Sequence, residues 1–300
     1  MKTFIRAAEV WLPTADQAEL THGGGLSGPE ARAFGAFSQS VRFRHGEGLP
    51  GLAWAEGRPL LLRHFEGTPF LRTEAAHAAG LRCAIALPVF VREALTAVLV
   101  FFCGDDDEQA GAIELWRNDP RVTTDMTLVD GFYSHSASAL EAVSQDTYLP
   151  RGTGLPGLAW QQGRAVFMED LASAPRFLRG ETASGAGIER GLALPWPART
   201  QAEYVVTLLS SSRTPVARRV EGWAPGDDPR VLQRGFGFDE TEGHLGDAAL
   251  ALDADAGPIG AAYASGVPQV AVQSPEGRGQ LVVIPVVSEG VVAEVVALYL

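Results

Sequence analysis

The sequence is poor in the residues that define several specialised protein classes. Its two cysteines in 300 residues are too few for a disulfide framework, so we expect a reducing, cytoplasmic environment. Lys2 is the only lysine. No apolar run reaches the ~18 residues that a membrane-spanning helix needs, and Glu9 interrupts the N-terminal stretch before a signal-peptide core can form. We therefore expect no membrane insertion.

Basic charge is scarce as well. The net charge is -12, from 24 basic and 36 acidic side chains. Residues 219–300 carry 4 basic and 12 acidic side chains, a net of -8. Nucleic-acid-binding proteins present a basic surface to phosphates, so we expect no nucleic-acid partner. The acidic end of the chain is typical of an exposed, solubilising surface, and docking to a basic surface is the alternative.

The common sequence signatures of catalysis are also missing. No zinc-protease, P-loop, C-x-x-C or nucleophile-elbow pattern is present. The run His22–Gly25 is similar to an esterase oxyanion loop, but no nucleophile elbow accompanies it, so we predict a turn between strands. The acidic run Asp105–Glu108 is interpreted as a solvated linker. We predict that the protein is not an enzyme and carries no metal site.

The chain contains one sequence unit that is repeated three times. Gly48–Trp54 and Gly154–Trp160 both read GLPGLAW, and Gly257–Tyr263 reads GPIGAAY. A glutamate and a tryptophan with one residue between them recur at spacings of 105 and 107 residues, as Glu9 and Trp11, Glu114 and Trp116, Glu221 and Trp223. A strand-like proline segment recurs around Pro88, Pro195 and Pro285. These periods exceed the roughly 20–50 residues of a solenoid unit, so we predict three domains: copy 1 (residues 1–107), copy 2 (108–216) and copy 3 (217–300).

The pattern of copy 1 predicts mixed secondary structure. We expect a strand over Phe4–Leu12, a loop over Gly23–Pro29, a helix over Pro29–Val41, a short helix over Gly48–Trp54 that ends at Gly57, a strand over Pro59–Arg63, a helix that starts at Thr68, carries Phe70–Arg72 and stops at Gly80, and two long final strands. Strands that are adjacent in sequence pair antiparallel, so the sequence predicts an α+β fold with helices on one face of a central antiparallel sheet.

These marks, in this order, resemble the GAF domain. The resemblance rests on the GLPG-x-x-W segment, on Phe-Leu-Arg followed by a glycine (residues 70–80 and 177–187), and on the Ala-Leu-Pro strand. It covers nearly the whole chain and implies three tandem GAF-like (GAF/PAS-like) domains. In copy 3, Val270–Val282 replaces the stretch that bears the pocket-lid helix elsewhere, so copy 3 is identified as degenerate. GAF domains serve as sensors of small molecules and as dimerisation modules.

The resemblance also implies the walls of a pocket in copies 1 and 2. The candidate ligand-binding residues are Trp54, Phe70, Arg72 and His77 in copy 1, and Tyr148, Trp160, Phe177 and Arg179 in copy 2. Arginine in an apolar pocket suits an anionic ligand. The alternative is that the aromatic residues are core packing and that each arginine pairs with a local acid such as Glu74 or Glu181.

No known GAF cofactor fits the sequence. The cyclic-nucleotide signature needs a lysine that the chain lacks, and covalent bilin needs a cysteine near the pocket helices, whereas Cys83 and Cys103 fall on strands. Haem needs an axial histidine, for which His77 is the one candidate position. We expect no cofactor and leave open an unidentified small ligand.

The junctions between copies are too short for the long helices that cover the second sheet face in many GAF domains. An uncovered apolar face would be a large exposed patch, so we predict that sheet faces pack together, either within the chain or between subunits of a homo-oligomer. The function we predict is regulatory or sensory, exerted in trans on another protein, a signalling or assembly partner. One alternative is a structural adaptor with filled pockets. The other is a thiol redox enzyme, which requires Cys83 and Cys103 within bonding range and open to solvent.

Overall fold

The computed structural model describes residues 2–104, 110–253, 255–274, 277 and 279–300. Copy 1 contains β1 (Ile5–Pro13), β2 (Glu19–Ser27), α1 (Arg32–Ser38), β3 (Arg42–Arg44), α2 (Gly48–Glu56), β4 (Leu60–Leu62), α3 (Thr73–Ala78), β5 (Leu81–Val91) and β6 (Ala94–Gly104). Its sheet has the order β3-β2-β1-β6-β5-β4, and every pairing is antiparallel.

Copy 2 repeats this plan. It contains β7 (Gly111–Asn118), β8 (Met126–Tyr133), α4 (Ser138–Gln145), β9 (Tyr148–Leu149), α5 (Gly154–Gln162), β10 (Val166–Met168), α6 (Gly180–Gly185), β11 (Arg190–Trp196) and β12 (Glu203–Ser210). The sheet order is β10-β11-β12-β7-β8-β9, which is the order of copy 1 read from the other edge.

Copy 3 keeps the sheet with fewer helices around it. It contains β13 (Arg219–Pro225), β14 (Val231–Asp239), β15 (Gly243–His244), β16 (Ala249–Ala251), α7 (Gly257–Ser265), β17 (Gln269–Ala271), β18 (Leu281–Ser288) and β19 (Val291–Tyr299). The order is β15-β14-β13-β19-β18-β17, with β16 on β14. None of the described residues between β17 and β18 is helical. The predicted α+β class is confirmed by all three antiparallel sheets.

The repeated GLPG segment forms the same short helix in each copy, as predicted. Each helix ends at a glycine with a left-handed backbone: Gly57, Gly163 and Gly266. The second glycine of the segment is set by a close backbone approach. A Cβ on Gly51 would lie 2.1 Å from the carbonyl oxygen of Arg44, and one on Gly157 would lie 2.5 Å from that of Pro150. The segment therefore recurs because only glycine admits this contact between helix and preceding strand.

Two elements of copy 1 differ from the sequence prediction. Most of the predicted loop Gly23–Pro29, and the predicted turn His22–Gly25, lie inside β2, which ends at Ser27. The glycine run is paired to β1, and the start of the strand, Glu19–Thr21, is also paired to β3, so cross-strand pairing overrides the low strand propensity of glycine. The lid helix starts at Thr73, not at Thr68. Phe70–Arg72 therefore precede the helix in a turn that the Thr68 hydroxyl supports by accepting from the Phe70 amide at 3.3 Å.

One face of the first sheet packs on its helices. The largest side chains of this core are Trp11, Phe34, Phe43 and Phe102, all nearly inaccessible to solvent. Side chains alternate between sheet faces along a strand, and the alternate residues Ile85, Leu87 and Phe101 are fully buried as well. The sheet of copy 1 is therefore covered on both faces.

Contacts between neighbouring elements divide the chain into two compact units. One holds copy 2 with the first four residues, and the other holds copies 1 and 3. Within the second unit, β1 and β2 contact β17, and β5 contacts β18. The Arg92 amide donates to the Gly290 carbonyl at 2.7 Å, and the Thr96 hydroxyl donates to that of Gly266 at 2.7 Å. Copies 1 and 3 thus pack together within the chain.

The predicted domain boundaries stay predictions. The first, between residues 107 and 108, lies outside the described residues, as does the run Asp105–Glu108 that was interpreted as a linker. Among the residues that the structure describes, no helix is long and apolar enough to span a membrane.

Candidate functional site

The repeated glutamate and tryptophan form the centre of each copy. Two residues apart on a strand, they point to the same sheet face, and in each copy the indole N–H donates to the carboxylate. The N···O distances are 3.1 Å from Trp11 to Glu9, 2.8 Å from Trp116 to Glu114 and 2.9 Å from Trp223 to Glu221. All three carboxylates are at most 2% exposed. Each copy therefore buries a charge that requires compensation.

Arginine supplies that compensation. Arg72 Nη1 lies 2.8 Å from Glu9 Oε1, and Arg179 Nη2 lies 3.0 Å from Glu114 Oε2. The partners are thus 63 and 65 residues away along the chain, and the prediction of local partners at Glu74 or Glu181 is wrong. The turn before the lid helix places each arginine under the sheet, where the central strand presents its glutamate.

Copy 3 reaches the same result from a different element. It has no described lid helix, and Arg234 on β14 donates to Glu221 Oε1 at 3.0 Å, while Arg219 donates to the same oxygen from β13. In the sheet register Trp223 is opposite Arg234. The tryptophans of copies 1 and 2 are opposite His22 and Leu128 at the same position. The buried carboxylate is therefore retained with a substitute cation.

In copy 2 the centre is saturated with hydrogen bonds. Glu114 accepts from Arg179 and Trp116, and also from Tyr133 Oη at 2.8 Å, Thr207 Oγ1 at 2.9 Å and Ser144 Oγ at 3.2 Å. Burial by itself raises the pKa of Glu114, but the charge of Arg179 and the hydrogen bonds outweigh it, and the pKa is lowered. Burial, with the charge of Glu114, raises the pKa of Tyr133. The phenol is therefore a protonated donor to an ionised carboxylate.

In copy 1 the centre is aromatic instead. The guanidinium carbon of Arg72 lies 4.6–5.5 Å from the centroids of five rings, those of Trp11, Phe34, Phe43, Phe70 and Phe102. Its Nη1 donates to Glu9 and to the Ser38 hydroxyl. Nε and Nη2 are buried with no hydrogen-bond partner among the described residues. Cation–π attraction thus takes the place of hydrogen bonds to this arginine.

A half-open cavity of about 420 Å³ lies beside this centre. Its inner wall includes Ala7, Glu9 and Phe34, which are buried, and its outer wall includes Arg32 and Gln39, which are exposed. Small-molecule sites commonly span roughly 300–1,000 Å³. The cavity is therefore large enough for a ligand, and its inner end is bounded by the buried residue Glu9.

His22 and Ser27 complete the cavity on the β2 side. The His22 ring stands edge-on to Trp11, with centroids 5.4 Å apart. Burial lowers the pKa of His22. The negative charge of Glu9 acts to raise this pKa, and the positive charge of Arg72 lowers it further. The imidazole is therefore neutral near pH 7, and the cavity wall offers it as a neutral hydrogen-bonding group.

Copies 1 and 2 differ in the size of one side chain beside this cavity. Ala7 is opposite Ser27 in the register, and the matching residue Ala112 of copy 2 is opposite Tyr133. The Tyr133 ring folds back over its own strand, so that a Cβ on Gly131 would lie 2.6 Å from ring atom Cε2. Tyr133 thus fills the space over Gly131 in copy 2, whereas in copy 1 a Cβ on the matching Gly25 would lie 3.1 Å from His22 Nε2, so the His22 ring borders this space.

The eight predicted ligand-binding residues separate into two groups. Phe70 and Phe177 pack on the guanidinium groups of Arg72 and Arg179, at 5.4 and 5.2 Å, inside the buried centres. The remaining four lie elsewhere: Trp54 stands edge-on to His45 at 4.8 Å, Trp160 donates to Glu203 at 2.7 Å, His77 pairs with Glu66 at 2.9 Å, and Tyr148 is 62% exposed on β9. Tyr148 is therefore not a wall of a buried pocket.

Sequence reasoning missed the acceptors of the two centres. Glu9 and Glu114 were recognised as repeat marks but were given no role, and Ser38, Ser144 and Tyr133 were not singled out. The signal was present in the repeat itself. A glutamate at the apolar face of a strand, recurring with a tryptophan two residues on, is a buried charge, and the repeated arginine before the lid helix is its natural partner.

The two cysteines do not meet the solvent condition for redox chemistry. Cys83 is opposite Cys103 in the register of β5 and β6. Both are free thiols and fully buried, so the pair is not open to solvent. Within the described part of the chain, no group of three or more His, Cys, Asp or Glu side chains is placed to hold a metal ion.

Several solved structures similar to the chain are described as GAF domains. The GAF domain of A. aeolicus nlh2 in an inactive state has 17% identity and a TM-score of 0.28, and the match covers 35% of this chain and 60% of the solved chain. The GAF domain of a Coxiella burnetii phosphoenolpyruvate-protein phosphotransferase has 16% identity and a TM-score of 0.28, with 33% and 56% covered. A GAF domain/HD domain protein from Geobacter sulfurreducens has 15% identity and a TM-score of 0.28, with 35% and 65% covered.

The chain thus spans less than two thirds of the length of these structures. No protein-family model matches it, and no curated protein matches it. The fold assignment rests on the strand order and register of the chain itself.

Proposed function

We propose that the chain is a non-catalytic regulatory protein of three GAF-like domains that acts in trans, with copy 1 as the ligand-binding copy. One observation carries the proposal: copy 1 has a half-open cavity of about 420 Å³ against its buried Glu9. A buried charge next to an accessible, partly polar cavity is a common arrangement for small-molecule recognition.

Copies 2 and 3 are proposed to be structural. In copy 2 five side chains donate to Glu114, and Tyr133 takes the space that is open in copy 1. In copy 3 two arginines bind Glu221. A carboxylate has about four lone-pair positions, so these centres offer a ligand little beyond what their own side chains provide.

The cavity wall of copy 1 is also its contact with copy 3. Gly24 lines the cavity, and a Cβ at Gly24 would lie 2.9 Å from Cγ2 of Val270 on β17. A ligand that shifts β2 therefore acts directly on the neighbouring copy, because a close-packed contact transmits small displacements. This gives a route from the ligand to a surface formed by copy 3.

Exposed apolar side chains supply a surface for the partner. Phe37 and Leu71 of copy 1 are 51% and 56% exposed, and α1 contacts α3. Val143 and Leu178 of copy 2, at the matching positions of the repeat, are 41% and 64% exposed. We propose that these positions contact another protein, since exposed apolar groups that recur at one place are a feature of interaction sites.

A structural adaptor without any ligand is the second candidate. The saturated centre of copy 2 favours it, because there the pocket position is filled by the protein's own side chains. The two functions differ in what copy 1 holds: the regulatory protein has an occupant in its cavity under some condition, and the adaptor has water there.

Native mass spectrometry of protein purified from its own host tests the proposal. A variant with His22→Leu and Ser27→Tyr installs in copy 1 the residues that copy 2 has at these positions, and serves as the matched control. We expect a non-covalent mass on the wild-type chain that is absent from the variant. A wild-type chain that carries no small molecule and arrives with a partner protein supports the adaptor instead.

A further inference from the structure

We propose that the cavity of copy 1 binds a neutral hydroxylated aromatic ring whose hydroxyl donates to Glu9. This proposal rests on the proposed function, in which copy 1 is the ligand-binding copy, and it adds the chemical class of the ligand. The argument comes from copy 2, which carries such a ring as part of its own chain.

Tyr133 is the internal template for the ligand. Its phenol hydroxyl lies 2.8 Å from Glu114 Oε1, and its ring fills the space over Gly131. The register places Ser27 of copy 1 at the same position. Replacement of tyrosine by serine removes the ring and leaves the hydroxyl too short to take its place. The sheet and the buried carboxylate remain, so the space keeps the chemistry that a phenol satisfies.

Glu9 has unused acceptor capacity for that hydroxyl. Among the described residues it accepts from two side chains, Trp11 and Arg72, whereas Glu114 accepts from five. Two of the additional donors in copy 2 are Tyr133 and Thr207, and copy 1 has Ser27 and Val100 at these positions. A buried carboxylate favours filling its remaining positions with donors, and Glu9 lines the cavity.

The surroundings favour a ligand without net charge at its inner end. Arg72 already compensates the charge of Glu9 at 2.8 Å, so a second cation would be uncompensated there, and an anion would face the carboxylate. The inner wall also contains Ala7 and the Phe34 ring, which suit a flat apolar ring. At the outer end the exposed Arg32 and Gln39 accommodate a polar or acidic substituent.

The first test uses 4-methylphenol, which is the tyrosine side chain, and 1,4-dimethylbenzene, which has the same shape without the hydroxyl. Both are titrated into the full-length chain and followed by NMR. We expect saturable binding of one equivalent of 4-methylphenol, about tenfold tighter than 1,4-dimethylbenzene, the minimum that a hydrogen bond to a buried carboxylate provides. Equal affinity for the two probes contradicts the assigned role of Glu9.

The second test uses reciprocal variants. The copy-2-like variant with His22→Leu and Ser27→Tyr should lose the 4-methylphenol site, because its own phenol occupies the cavity. Tyr133→Ser should gain a second site in copy 2. Binding that survives the first variant places the probe elsewhere and overturns the proposal, and that result does not depend on whether Tyr133→Ser folds.

Comparison with host-purified protein separates the two proposals. A retained host molecule that the copy-2-like variant loses, together with no binding of 4-methylphenol, leaves copy 1 as the ligand-binding copy and rejects the phenol class. Binding of 4-methylphenol that displaces the host molecule supports both. A cavity that takes up neither rejects both and favours the structural adaptor.

Discussion

Copies 1 and 2 compensate the same buried charge pair in two ways. In copy 2 the pair of Glu114 and Arg179 is enclosed in hydrogen bonds, including one from Tyr133. In copy 1 the pair of Glu9 and Arg72 is enclosed by five aromatic rings and is adjacent to a cavity. A saturated polar network rigidifies a core, whereas an incomplete one leaves room for an external group. The same buried ion pair is therefore enclosed by hydrogen bonds in one copy and by aromatic rings in the other, through very few residue differences.

The largest expected effect is the loss of the arginine of copy 2. Arg179→Met leaves Glu114 buried without its cation, and breaking a buried ion pair in this way costs about 3–5 kcal/mol. Arg72→Met should cost less, because the cavity lets water reach Glu9. Urea unfolding of both variants checks the order. An equal or larger loss for Arg72→Met would mean that the cavity gives Glu9 no access to water.

Next in size is the removal of the internal ring. Tyr133→Ser should destabilise the unit that holds copy 2 by about 3 kcal/mol, the lower end of the range for deletion of a large aromatic side chain, because Tyr133 is only partly buried. Tyr133→Phe keeps the ring and removes one hydrogen bond to a charged acceptor, at a cost of about 2 kcal/mol. Thermal unfolding of the two variants separates the ring from the hydroxyl. Equal losses of stability for the two variants would mean that packing of the Tyr133 ring does not stabilise the unit.

Acidification should distinguish wild-type copy 2 from its arginine variant. The pKa of Glu114 is lowered in the folded state, so its contribution to stability is present above the unfolded-state pKa of about 4.3 and is lost as the pH falls below it. In Arg179→Met burial dominates and the pKa of Glu114 rises, so acid should stabilise the variant. Urea unfolding between about pH 3 and pH 7 gives both slopes, and slopes of the same sign would contradict the assigned pairing.

The smallest expected effect concerns the hydroxyl of Thr207 on β12, the last strand of copy 2. Thr207 donates to Glu114 at 2.9 Å, and Val100 occupies the corresponding position opposite Glu9. Thr207→Val should cost about 1–2 kcal/mol. Val100→Thr gives Glu9 a third donor and should weaken binding of 4-methylphenol. Calorimetry of the first variant and NMR titration of the second check the pair, and an unaffected titration would show that Glu9 is not the acceptor.

Several elements were predictable from local chemistry. The GLPG helix of each copy is a local structure, because proline near its start, glycine at its end and the close approach at Gly51 act over a few residues. The paired final strands are likewise neighbours in sequence. The glycine-rich part of β2 was not predictable in this way, because its conformation is imposed by pairing with β1. The lid helix also starts later than the sequence predicts, because Arg72 lies in the core, bonded to a carboxylate 63 residues away.

The sequence by itself determined the threefold repeat and the α+β class, and it located the recurring glutamate and tryptophan without showing their role, since spacing and residue type carry this information directly. Tertiary structure decided which acid each arginine meets and which side chains border the cavity of copy 1. Register alone sets Ser27 where copy 2 has Tyr133, and Arg234 where copy 1 has His22. These relations depend on strand pairings and packing between residues far apart in the chain, which no local pattern encodes.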